Sequence, residues 1–177
     1  MKTIYFLAFA TTLSSCSSDD FHNTKIIIST DRDQYRVGDN FDLTLTISPV
    51  DNKKKIRVYD NYKNLEISFA LVDESRGIQN EDWSKHSGQF LNDSKIIEVT
   101  IDKDKPFTKT FKGIIIDDQT MVTLSIPELK MKVSFDKKKV LSGTSIRVHG
   151  FCNPIEPGLG DSLEDYFEVK DIKIVGG

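Results

Sequence analysis

The chain has 177 residues, a formal net charge of -3, 38% hydrophobic and 29% charged residues. Those are the values of an ordinary folded, mildly acidic protein; they argue against a disordered chain and against a nucleic-acid binder. At the start, Met1-Lys2 is a minimal positive segment, residues 4–13 are an apolar run, and small residues lead to Cys16. A membrane span needs about 20 apolar residues, so this order reads as a secretory signal peptide over residues 1–15.

The four residues Leu13-Ser14-Ser15-Cys16 resemble the lipobox of bacterial lipoproteins. The resemblance implies that Cys16 carries a diacylglycerol, that the chain is cut before it, and that the new amino group is acylated. Each buried methylene contributes about 0.8 kcal/mol, so several acyl chains on one residue make a stable anchor. Ser17-Ser18-Asp19-Asp20 resembles the serine-and-acid export signal of Bacteroidota surface lipoproteins. It implies an outer-membrane anchor facing the cell surface, with a periplasm-facing lipoprotein as the alternative. Residues 16–24 are then the lipidated cysteine and a short tether. With Cys16 acylated, Cys152 has no partner, and the fold must stand without an internal disulfide.

Beyond the tether the pattern has period two. Phe41, Leu43, Leu45 and Ile47 alternate with Asp42, Thr44 and Thr46, which predicts a half-buried strand. The same alternation recurs at Leu65, Ile67, Phe69 and Leu71, then at Ile97, Val99 and Ile101. Val122, Leu124 and Ile126 follow, then Met131, Val133 and Phe135, and Ile146 with Val148. The last run, residues 167–174, changes phase between Val169 and Ile172 and predicts a bulge. Turn residues separate the runs, as at Val37-Gly38-Asp39-Asn40 and Ser142-Gly143. No helical stripe appears outside the signal. The class is all-β, a sandwich or barrel of antiparallel strands.

Ile28-Ser29-Thr30-Asp31, then Tyr35-Arg36-Val37-Gly38-Asp39 running into Phe41-Asp42-Leu43, looks like the first strands of bacterial immunoglobulin-like domains. Val140 to Val148 resembles the penultimate strand of that family, entered through a glycine turn. The resemblance implies an immunoglobulin-like β-sandwich. The two segments also echo one another, Ile28-Ser29 with Val133-Ser134 and Gly38 with Gly143, which raises tandem domains as an alternative. The second copy leaves too few residues for a sandwich of about 100. A single domain over residues 25–177 is therefore expected.

Chemistry is harder to find. His149 and Cys152 stand three apart, which on a strand places them on opposite faces, so no metal site is expected. His22 and His86 fall in polar segments. Neither a nucleophile elbow, a zinc helix motif nor a phosphate loop is present, so neither catalytic residues nor a cofactor are expected. Asp31, Asp33 and Asp39 gather at one turn and could bind calcium, but Arg32 and Arg36 interrupt them, and solvated turns are the simpler reading. The triplets Lys53-Lys54-Lys55 and Lys137-Lys138-Lys139 lie beside strands, where charge deters edge pairing.

Two segments read as recognition loops. Residues 76–89 form a polar loop around the only tryptophan, Trp83, and residues 153–162 hold two prolines and two glycines with Ile155 and Leu159 at the tip. Trp83, Ile155 and Leu159 are the expected ligand contacts. The expectation is a lipid-anchored, non-catalytic binding or accessory module that meets an extracellular protein or glycan. An inhibitor or immunity lipoprotein directed at a toxin or protease is the alternative, and a fimbria-like subunit a further one.

Overall fold

The computed structural model describes residues 24–60, 65–73, 77–83, 95–152, 165–166 and 170–176, with side chains at 24–60, 67–72, 95–149 and 170–176. The fold is all-β. Five antiparallel strands form one sheet: β1 (Thr24–Thr30), β3 (Asn40–Pro49), β8 (Phe107–Asp118), β9 (Met121–Ile126) and β10 (Met131–Asp136), in that spatial order. The second sheet runs β2 (Gln34–Arg36), β13 (Lys170–Val175), β11 (Ser145–Cys152), β5 (Leu65–Asp73) and β6 (Gly77–Trp83). The short β12 (Asp165–Tyr166) also pairs with β11, and β2 joins β13 in parallel while the other ladders are antiparallel. A separate ribbon pairs β4 (Lys54–Tyr59) with β7 (Ile96–Ile101).

Alternation in sequence becomes alternation in burial. Along β3, Phe41, Leu43, Leu45 and Ile47 are buried, while Asp42, Thr44, Thr46 and Ser48 face outward. Ile67, Phe69, Leu71, Ile146, Val148, Ile172 and Ile174 cover them from the second sheet. Each such side chain contributes about 1.5–3 kcal/mol when fully buried. Phe41 is the contact between layers. Its ring meets Phe69 edge-on at 6.4 Å and Tyr35 at 6.0 Å between centroids. On β5, Ser68 and Ala70 are as buried as Ile67 and Phe69, so that strand is covered on both faces.

Between β10 and β11 the chain makes one helical turn, α1 (Lys137–Leu141). The Asp136 side chain accepts the Lys139 N–H at its start, Val140 is buried beneath it, and α1 packs against β9, β10 and β13. Gly143 follows with φ of +96°, and Gly38, before β3, has φ of +94°. A side chain is strained in that region, which explains glycine at both places in the echoed segments. The two copies diverge afterwards. The first leads into β3 of the five-stranded sheet and the second into β11 of the other, and all four segments feed one buried cluster.

Several local expectations change. Residues 76–89 are not one loop, because Gly77–Trp83 is strand β6, paired with β5 from Asp73↔Gly77 to Ser68↔Trp83. Glu81 and Asp82 masked this strand: they break the apolar alternation on which a sequence reading depends. Ile97 is 44% exposed instead of sharing the core with Ile101. The second lysine triplet follows directly on β10, as expected, but forms the start of α1. Part of the last predicted strand, residues 167–169, lies outside the described residues, and β13 begins at Lys170.

Candidate functional site

The densest polar cluster sits where β1 turns through β2 into β3. The Tyr35 hydroxyl donates to Asp31 Oδ1 at 2.7 Å and accepts the Arg32 N–H at 3.0 Å. Asp31 Oδ1 also accepts the Asp42 N–H at 2.7 Å, tying the turn to β3. Arg32 reaches Asp31 Oδ2, Asp39 Oδ2 and the Asn40 carbonyl, and its guanidinium lies 4.6 Å from the Tyr35 ring centroid. Burial and the bond to Asp31 push the Tyr35 hydroxyl up to about 12. Burial works the other way on Asp31, yet the Asp42 N–H, Tyr35 and Arg32 together hold its carboxyl below the usual range.

This arrangement is a brace, and it uses the oxygens that calcium would need. Asp31 and Asp39 are engaged by Arg32 and by backbone N–H groups, and Asp33 pairs with Lys170. Other strand-end acids are occupied too. Asp117 pairs with Lys137 at 2.6 Å, and Asp102 accepts the N–H groups of Asp104 and Lys105. Asp171 meets Arg147 through two hydrogen bonds, of 2.8 and 2.9 Å; that contact lowers the Asp171 carboxyl although burial opposes it. Among the described residues no group of three or more His, Cys, Asp or Glu is placed to hold a metal.

A second feature is open. Between the β8–β9 turn and α1 lies a cleft of about 640 Å³, lined by Gln119, Thr120, Asp136, Lys137, Lys138, Leu141 and Ser142. The Lys137 N–H donates to the Thr120 carbonyl at 2.9 Å and fixes its floor. Gln119 holds the turn with φ of 30°, a left-handed conformation that side-chain-bearing residues rarely adopt. Most of the lining surface is apolar, Leu141 adding a partly buried side chain packed against the core, and an amide, hydroxyls, the Asp136 carboxylate and two ammonium-bearing side chains complete it. Sequence reasoning missed this site. The signal was there in Asp136 before three good helix formers, with Gly143 just past the end.

Of the residues expected to bind, Cys16, Ile155 and Leu159 lie outside the described residues. Trp83 is the last residue of β6, its backbone opposite Ser68, and its side chain is outside the described set. His149 and Cys152 both lie in β11, opposite Ser68 and Leu65 of β5.

No protein-family model matches the chain, and no curated protein matches it. Among solved structures it is similar to Spo0M, a sporulation control protein from Bacillus subtilis, with TM-score 0.42 and 10% identity. It is similar also to the alkylpurine DNA glycosylase AlkC from Pseudomonas fluorescens, at 0.38 and 9%, and to a beta-glucosidase from Listeria innocua, at 0.36 and 13%. The matches cover 88%, 86% and 87% of this chain but 50%, 30% and 16% of those proteins. The chain therefore spans half or less of each, and likeness at this level carries no argument about what it does.

Proposed function

We propose that this chain is a lipid-anchored, non-catalytic binding or accessory module of the bacterial envelope. In this reading Cys16 carries the acyl chains, residues 17–24 are the tether, and residues 25–177 form one immunoglobulin-like domain facing the cell surface. The partner is an extracellular protein or glycan, and no cofactor takes part. One observation supports the binding role: the densest polar cluster is spent on bracing the fold, whereas a cleft beside α1 stays open, mainly apolar in its lining with a few amide, hydroxyl and charged side chains around it. A rigid scaffold that presents an open, largely apolar cleft with a few polar groups suits recognition.

Metabolic labelling with an alkyne-bearing fatty acid tests the anchor, and protease treatment of intact cells tests its side. The parent chain should take up label, pellet with membranes and be digested from outside, while Cys16→Ser should do none of these. An unlabelled parent chain, or a labelled one protected in intact cells, would contradict the anchor or the surface placement respectively.

A further inference from the structure

We propose that two copies of this chain pair antiparallel through the open edge of β10, about a two-fold axis at Ser134, so that their five-stranded sheets join into one. The inference goes beyond the binding-module reading and does not depend on it.

Among the described residues β10 pairs on one side only, with β9. The phase of that ladder fixes what faces the other side. In an antiparallel pair, residues that bond across the ladder alternate with residues whose N–H and C=O point away from it. The Lys137 N–H donates to the Thr120 carbonyl, and the register runs without a shift from Asp136↔Met121 to Met131↔Ile126. Phe135, Val133 and Met131 therefore bond to β9, while Asp136, Ser134 and Lys132 aim their backbone groups at the open edge. The neighbouring hairpin agrees. Asp118 and Met121 flank the tight turn from β8 to β9, so Met121 bonds toward Asp118 and not toward Asp136. The helical turn α1, which follows β10, turns in against β9 and β13.

The side chains select the occupant. Those of Lys132, Ser134 and Asp136 are exposed on the outer face, while Met131, Val133 and Phe135 are buried. With Ser134 on the axis, Ser134 exchanges its backbone bonds with Ser134 of the second copy. Lys132 of each copy then stands directly opposite Asp136 of the other, so the contact holds two symmetric charge pairs. Opposite charges at facing positions stabilise a ladder, and like charges destabilise it. Both groups are free to pair in this way. Lys132 has no acidic partner among the described residues, and Asp136 gives Oδ1 to the Lys139 N–H, which leaves its second oxygen. Registers centred on Lys132 or on Asp136 would set like charges face to face, so the sequence favours the one centred on Ser134. An edge lysine by itself deters pairing; here the same strand carries the acid that answers it.

One six-residue strand from each copy makes a small contact. Interfaces below about 1,200 Å² are weak and transient, so the dimer is reversible.

The test is sedimentation equilibrium of the full-length chain in density-matched detergent, over micromolar to millimolar concentrations. The parent should move reversibly between monomer and dimer; a monomer throughout overturns the proposal. Lys132→Glu sets two acids face to face and Asp136→Lys sets two lysines face to face, each at both symmetric positions. Each variant alone should therefore dimerise about tenfold more weakly. Mixed together, the two variants meet opposite charges at both positions and should pair about as strongly as the parent. A mixture no stronger than its components overturns the register. Asp136→Lys also removes the cap of α1, so Ser134→Pro is a further variant. It deletes an N–H that faces the open edge, where an edge strand tolerates proline, and should abolish the dimer. Lys132→Glu changes an exposed side chain without an internal ion pair, and it decides the case if either other variant fails to fold. Dimers of parent strength in Lys132→Glu or in a folded Ser134→Pro would place the contact on another surface and overturn the site.

Discussion

Gly113 lies in the middle of β8 and pairs directly with Phe41 of β3. A Cβ at that position would stand 2.2, 2.4 and 2.6 Å from three atoms of the Phe41 ring. Carbon atoms in contact sit about 3.5–4.0 Å apart, so the ring must retreat by roughly 1 Å or more for Gly113→Ala to fit. It has little room, because it is 1% exposed and held edge-on between Tyr35 and Phe69. Overpacking of this kind costs about 1–3 kcal/mol. Alanine recovers about 0.5–1 kcal/mol through its smaller loss of backbone freedom in a strand. Taking mid-values, the net destabilisation is about 1 kcal/mol, a fall in Tm of about 2–4 °C for a chain of this length. Differential scanning fluorimetry on the parent, Gly113→Ala, Phe41→Leu and the double variant measures it. The double variant should lose less than the sum of the singles, because the smaller side chain vacates the space the methyl needs. A Gly113→Ala protein as stable as the parent, or strict additivity, would refute the packing argument.

Tyr35→Phe removes a donor to Asp31 and an acceptor for the Arg32 N–H. It should lower stability by about 1–2 kcal/mol, read as a smaller urea midpoint at unchanged m; an unchanged midpoint would show that the corner is not a brace. Asp31 and Asp171 are both lowered in the folded state, so their contribution is complete above about pH 4, the range of an unfolded carboxylate, and is lost as pH falls through the folded values. Tm should therefore be flat near neutrality and drop in acid, and Asp31→Asn should make that drop shallower while lowering the neutral plateau. A drop of equal steepness in that variant would place the acid sensitivity elsewhere.

The core strands were legible because their buried faces are pure. Every apolar position in β3, β9 and β10 that the alternation assigns inward is buried. The strands that escaped reading break the pattern for identifiable reasons. In β8, the longest of all at twelve residues, glycine replaces an inward side chain at 113 and isoleucines face outward at 114 and 116. Gly113 looks like a weak point until the Phe41 ring above it is known, and no local rule announces a ring supplied by another strand. In β6 polar residues fill the pairing strand. The braced corner was half legible: the tyrosine and the glycine–acid turn stood out, but the acids read as solvated turns, with calcium as the lesser alternative. What they serve instead is decided by Arg32 and by the Asp42 N–H, eleven residues from Asp31.

A net charge of -3 counts against an anionic partner only if the charge is evenly spread. Here the acids go where the fold needs acceptors. Asp31 closes a corner, Asp102 a turn and Asp136 a helix start, and each of those carboxylates is satisfied inside the chain. Lysines divide: Lys137 and Lys170 pair with Asp117 and Asp33, while Lys132, Lys138, Lys139 and Lys173 are exposed with no acidic partner among the described residues. A potential set by unpaired groups is local, since screening at physiological salt removes most of the effect of charges more than about 8 Å away. Net charge is therefore a poor guide to the local potential when one sign of charge is consumed by architecture.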